Sequence, residues 1–139
     1  MAKDPADNEK MARTVLIVED LDQSASMLEI ALAPIPGIEI VHARSGQQAL
    51  QLLDSRDPRA FACLVTDLHM PGVDGFELIE RVRSNPRCQR LPIVVLSGDT
   101  DPATPNRIAR LGADAYFPKP YSPAEVRKKV EDLLNASRS

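Results

Sequence analysis

Residues 14–136 predict an α/β domain built on a parallel sheet with helices on both faces. Three observations carry the prediction. Short β-like runs alternate five times with helix-like stretches of about three turns. Two of the runs, Val15–Val18 and Ile93–Leu96, are continuously apolar, the pattern of strands covered on both sides rather than one. The joining loops are short, and strand–helix–strand units of this kind cross over with a right-handed sense.

The elements follow in order. A first strand is expected over Thr14–Val18, then a helix on which Leu21, Ala25, Leu28 and Leu32 recur at helical spacing. A second strand, Ile38–Ala43, leads to a helix over Gly46–Asp54, whose start Ser45-Gly-Gln-Gln48 matches the capping box. The third strand, Ala62–Thr66, precedes a helix over Gly75–Arg83 opened by Asp74-Gly-Phe-Glu77, the acidic version of the same signal. The fourth, Ile93–Ser97, precedes a helix over Pro105–Leu111, with Thr104-Pro105 as cap and proline start. The fifth, Ala115–Pro118, leads to Ser122-Pro-Ala-Glu125, a capping box with proline at the first helical position. Val126, Val130, Leu133 and Leu134 then mark the buried stripe of the last helix. Residues 1–13 read as a loose tail, 14–136 as the folded unit and 137–139 as a second tail, with Asn135–Ser139 as a frayed end.

Composition narrows the function classes. A chain of 139 residues is one ordinary domain, and 43% hydrophobic with 27% charged residues is ordinary soluble usage. The longest apolar runs fall far short of the roughly 20 residues of a spanning helix. The start, MAKDPADNEKMAR, has no apolar core of a secretory signal. A formal charge of −3, aromatics at 4% and no Trp argue against direct nucleic-acid binding. Cys63 and Cys88 lack a metal-ligand spacing, so a cytoplasmic protein with reduced thiols is expected.

In an open α/β sheet the ligand site lies beyond the carboxyl ends of the strands. Glu19 and Asp20 follow the first strand, Asp67 the third, Ser97 ends the fourth and Lys119 follows the fifth. The second strand offers only Ala43, Arg44 and Ser45. Any one of these acidic residues alone would be read as a helix cap or a solvated carboxylate. Together, three carboxylates repel one another unless a cation sits among them. An all-oxygen set without His or Cys favours Mg²⁺. A carboxylate beside such a metal can attack phosphorus and form an acyl phosphate. Lys119 supplies a point charge to a phosphoryl oxygen and Ser97 a hydroxyl. Asp67, from a central strand, is the strongest nucleophile candidate.

The motifs VLIVED (15–20), TDLHMPGVDGFEL (66–78), VVLSGD (94–99) and GADAYFPKPYSPAEV (112–126) together resemble the receiver domain of two-component response regulators. The resemblance covers about residues 14–135, and four motifs in order make it specific. It implies a flavodoxin-like (βα)5 three-layer sandwich with a five-stranded parallel sheet in order 2-1-3-4-5. It further implies Asp67 as phospho-acceptor and Glu19, Asp20 and Asp67 as Mg²⁺ ligands, with the backbone carbonyl of His69. Ser97 and Tyr116 take the switch positions, Lys119 contacts the phosphoryl group, and the peptide bond from Lys119 to Pro120 is cis. The side chain of His69 is expected to stay in solvent. His69 and Asp99 flank the phosphate entrance, where they are expected to tune dephosphorylation. Gly98 leaves room for a donor, Gly72 and Gly75 serve turn geometry, Cys63 is a core residue and Cys88 an inert loop thiol.

The function implied is a phosphorylation-dependent switch in a phosphorelay, not a turnover enzyme, since it acts catalytically only on its own phosphorylation and dephosphorylation. Partners implied are a histidine kinase or histidine phosphotransfer protein upstream, and an effector or an output domain downstream. The resemblance is also compatible with a weak homodimer through the fourth helix, fifth strand and fifth helix, although Arg107 and Arg110 single out no dimer mode. Beyond Leu134 only five residues remain, and a stand-alone receiver is preferred to a fragment of a longer regulator or hybrid kinase. The main alternative is a constitutive interaction module that keeps the fold without phosphorylation. A phosphatase of the haloacid-dehalogenase type would need an acid two residues after the nucleophile, where His69 stands. A nucleotide or flavin binder would need a glycine-rich phosphate loop where Glu19-Asp-Leu-Asp22 stands.

Overall fold

A computed structural model describes residues 13–55 and 61–136. Five strands and five helices alternate as β1 (Arg13–Val18), α1 (Asp22–Leu32), β2 (Ile38–Ala43), α2 (Gly46–Ser55), β3 (Phe61–Asp67), α3 (Gly75–Ser84), β4 (Ile93–Ser97), α4 (Thr104–Leu111), β5 (Ala115–Pro118) and α5 (Pro123–Ala136). All pairings are parallel and the strand order is β2-β1-β3-β4-β5, the flavodoxin-like arrangement expected. The registers Val18↔Ala43, Val18↔Thr66, Asp67↔Leu96 and Ser97↔Pro118 bring the carboxyl ends of all five strands to one edge.

Side-chain alternation along the strands divides the core into two layers. Val15, Ile17, Cys63, Val65, Val94 and Leu96 pack against Leu28 and Leu32 of α1 and Val126, Val130 and Leu134 of α5. Leu16, Val18, Leu64, Ile93 and Val95 pack against Ala49 and Leu53 of α2, Leu78, Ile79 and Val82 of α3, and Ile108 of α4. Each fully buried Leu, Ile or Val contributes about 1.5–3 kcal/mol of apolar transfer. The continuous apolar runs of β1 and β4 are thus explained by a helical layer on each side.

Several boundaries and caps differ from the sequence reading. β1 starts at Arg13, inside the expected tail; the other tail residues, 1–12 and 137–139, lie outside the described residues. β3 pairs on both edges and extends through Asp67, which is the last residue of the strand rather than the first after it. α5 continues to Ala136, so Asn135 is helical and not frayed, because buried Leu134 anchors the final turn. Ser45 Oγ accepts from Gln48 N at 3.0 Å, but the Gln48 side chain reaches back to Arg44 N instead of to Ser45 N. Asp74 caps α3 through Glu77 N at 2.9 Å and Ser122 caps α5 through Glu125 N at 3.3 Å. Thr104 is not a cap: it is the first residue of α4, and its hydroxyl donates to Asp99 Oδ2 at 3.1 Å. Cys88 lies in a loop yet is buried against Val82 and the core, so it is a packing residue as well.

At the amino-terminal ends of β4 and β5, Arg83 ties four segments together. Its Nε and Nη2 donate to Gly112 O at 3.0 and 2.7 Å, and its Nη1 to Gln89 O and Leu91 O at 2.9 and 2.7 Å. Nη2 also reaches Asp114 Oδ2 at 3.2 Å, an oxygen that accepts Ile93 N at 2.8 Å. Gly112 ends α4 in the left-handed region at φ 110°, where a side chain would also strike Arg83.

Candidate functional site

The opposite edge of the sheet collects a different set of groups. Carboxylate oxygens of Glu19, Asp20 and Asp67 all lie within 4.8 Å of one another. Lys119 Nζ bridges two of them, at 3.1 Å from Asp67 Oδ2 and 3.4 Å from Glu19 Oε1. The remaining oxygens are partly held by backbone: Asp67 Oδ1 accepts Leu68 N at 2.7 Å and Glu19 Oε2 accepts Leu21 N at 3.3 Å. The side chains of Glu19 and Asp67 are only 7% and 13% exposed.

Burial raises the pKa of Glu19; Lys119 pulls it down, and the neighbouring charge of Asp67 adds to the rise. Burial works against the charge on Lys119, but Asp67 and Glu19 outweigh it and its pKa rises. One ammonium among three carboxylates leaves the cluster short of positive charge. Hard oxygen donors that are closely spaced and under-neutralised fit a Mg²⁺ ion.

Backbone geometry sets these positions. Glu19 N donates to Ala43 O at 3.0 Å, and Lys119 N to Ser97 O at 2.8 Å. The peptide bond between Lys119 and Pro120 is cis. Gly75 lets α3 approach the loop after Asp67: a Cβ there would lie 2.5 Å from Asp67 O and 2.7 Å from Leu68 Cα. A Cβ on Gly98 would meet nothing within 4 Å, so the space beside Ser97 is open.

A second cluster lies on the β4–β5 side and is organised by Asp99. Ser97, fully buried, accepts Asp99 N on its Oγ at 2.9 Å. Asp99 Oδ1 accepts Asp101 N at 2.8 Å, and Oδ2 accepts the His69 ring N–H at 2.9 Å. The Asp101 amide first, and His69 and Thr104 after it, hold the Asp99 carboxyl below the ordinary range. Half-buried Tyr116 points its hydroxyl at Asp99 O, 3.5 Å away; burial and then the Asp99 charge raise its pKa. His69 is 61% exposed, as expected of a solvated side chain, but it is paired rather than free.

The structure therefore brings Glu19, Asp20, Asp67 and Lys119 into one cluster, and Ser97, Tyr116, His69 and Asp99 into an adjoining one. Sequence reasoning passed over His42 of β2. Its ring Nε2 lies 2.8 Å from Glu19 O. A titratable ring one residue short of the carboxyl end of β2, at the level of the acidic pair, was the available signal, though not of which group it would reach.

Fold and site together define an acidic pocket at the carboxyl-terminal edge of a flavodoxin-like sheet. Residues 15–131 match the family model of the response regulator receiver domain, and the chain belongs to that family. It is 34% identical over 125 residues to protein RcaC of Microchaete diplosiphon, covering 90% of this chain and 19% of that protein. It is 31% identical over 129 residues to the transcriptional regulatory protein SrrA of Staphylococcus aureus, covering 93% and 51%. The chain thus spans about a fifth and about half of these two relatives. Among solved structures, the signal receiver domain of a signal transduction histidine kinase from Syntrophus aciditrophicus superposes with a TM-score of 0.80. It is 28% identical, covering 90% of this chain and 92% of that one. Among the described residues no helix is long and apolar enough to cross a membrane.

Proposed function

We propose that the domain is a phosphorylation-dependent switch that accepts a phosphoryl group on Asp67 from a histidine kinase or histidine phosphotransfer protein. The observation that carries the reading is the Glu19–Asp20–Asp67 cluster with Lys119 bridging two of its carboxylates. In this reading Glu19, Asp20, Asp67 and the His69 carbonyl would hold Mg²⁺, which when bound would supply positive charge against the incoming phosphate. A carboxylate oxygen of Asp67 attacks the phosphorus of the donor's phosphohistidine, whose P–N bond breaks so that the imidazole leaves with the electron pair. Lys119, which contacts Oδ2 before the reaction, meets a phosphoryl oxygen as a point charge, and open space beside Gly98 admits the donor. The β4–β5 cluster supplies the response. If the Ser97 hydroxyl turns to the phosphoryl group, its bond from Asp99 N is exchanged, and the Asp99 carbonyl that faces Tyr116 moves with it. Phosphorylation then shifts the population of the β4–α4 segment and the α4–β5–α5 face, which a downstream partner or output domain reads. His69 and Asp99 control the lifetime of the acyl phosphate from the rim.

Beryllofluoride with Mg²⁺, followed by NMR, tests this. The amides of Ser97 and Tyr116 are expected to shift only with both reagents present, and not in Asp67→Asn. A spectrum that ignores beryllofluoride would instead support a constitutive interaction module on the same fold.

A further inference from the structure

β2 is one of the two edge strands and gives no ligand to the acidic pocket, yet it grips the turn that carries two of them. Glu19 N donates to Ala43 O at 3.0 Å. The His42 ring lies 2.8 Å from Glu19 O, and because a carbonyl oxygen only accepts, Nε2 must carry the proton. Arg44 pairs with Asp22 at the far end of the same turn. The carbonyl held by His42 belongs to the peptide group joining Glu19 to Asp20. Rotation of that one plane swings both carboxylates relative to Asp67.

The three ties are unequal. The backbone bond is common to any sequence in this register. The Arg44–Asp22 pair is exposed on both sides, at 64% and 66%, and such pairs are worth about 0–1 kcal/mol. His42 is half-buried on the α1 side of the sheet, where its bond is shielded. We infer that His42 is a positioning residue that holds the Glu19–Asp20 peptide group, and so both carboxylates, in the register that binds Mg²⁺. The inference rests on the metal site proposed above. Outer groups that orient metal ligands typically change affinity by about 10–100-fold when removed.

The test is a Mg²⁺ titration of the unphosphorylated protein, read from amide shifts of Glu19, Asp20 and Asp67, with thermal unfolding alongside. His42→Phe and His42→Val both remove the donor while suiting a strand. Each is expected to raise the Mg²⁺ midpoint roughly tenfold, with the same end-point shifts and a folded spectrum. His42→Gln, which keeps an N–H donor, should return the midpoint to within about twofold of wild type. Wild-type midpoints in the donor-less variants would overturn the inference, as would equal weakening in His42→Gln. Loss of fold in both donor-less variants also contradicts it, since His42 would then serve the fold rather than the metal. A wild-type protein that shows no Mg²⁺-dependent shift refutes the metal site itself, a separate outcome.

Discussion

At the amino-terminal end of the sheet, Arg83 places its guanidinium among three carbonyl oxygens and the Asp114 carboxylate, with every contact between 2.7 and 3.2 Å. At the carboxyl-terminal end, Lys119 faces Asp67 and Glu19 at 3.1 and 3.4 Å, with Asp20 beside them. Both clusters are built on one cation and partly shielded from water. Arg83 spends its rigid fork on fixed backbone acceptors and leaves nothing unmatched, which is the chemistry of a staple. Lys119 leaves three carboxylates under-neutralised, which suits the cation and phosphate site proposed above. Saturation, rather than burial or charge alone, separates the Arg83 cluster from the candidate site.

The largest effect is expected at Lys119. Lys119→Ala should slow acyl-phosphate formation from acetyl phosphate about 100-fold, the usual loss for one charge-stabilising donor, while the variant stays folded; a labelling time course measures it. Arg83→Ala should do the reverse. Losing several charge-assisted bonds costs about 2–4 kcal/mol in urea unfolding, and the Mg²⁺ midpoint of the folded variant should not change. If Arg83→Ala abolished Mg²⁺ binding while folded, the two clusters would not be independent. A smaller effect, of about a few fold, is expected in acyl-phosphate decay for His69→Ala and Asp99→Ala. Unchanged decay in both would remove their assigned role. The smallest effect concerns the layer between the clusters. Burial first, and Asp114 after it, push the Cys63 thiol up to about 12. At pH 8 only about 10⁻⁴ of it would be thiolate. Iodoacetamide should therefore leave Cys63 untouched in the native protein and modify it in urea, as read by peptide mass; native modification would show that the core opens.

The two faces of the sheet were legible because continuous apolar strands leave few other arrangements. The primary carboxylates and Lys119 were legible for a related reason: the ends of parallel strands must share an edge, so residues distant in sequence can be placed together. Strand and helix limits were less so. Asp67 joined β3 because pairing on both edges carries the strand further than its apolar run, and Thr104 lost its capping role to the Asp99 carboxylate. The residues that escaped notice, Arg83 and His42, act through backbone carbonyls. Every residue has a carbonyl, so sequence holds no mark of which one a side chain will reach. Cys88 was placed in a loop, but no local pattern showed that the loop folds back onto the core.

The central claim is that Asp67 becomes phosphorylated with the help of a divalent ion held by its neighbours. Intact-mass measurement after incubation with acetyl phosphate, with and without Mg²⁺, on wild type and Asp67→Asn, addresses it most directly. The account predicts one phosphoryl adduct on the wild type with Mg²⁺, and none without the metal or in the variant. An adduct that persists in Asp67→Asn, or its absence from wild type with Mg²⁺, would contradict it.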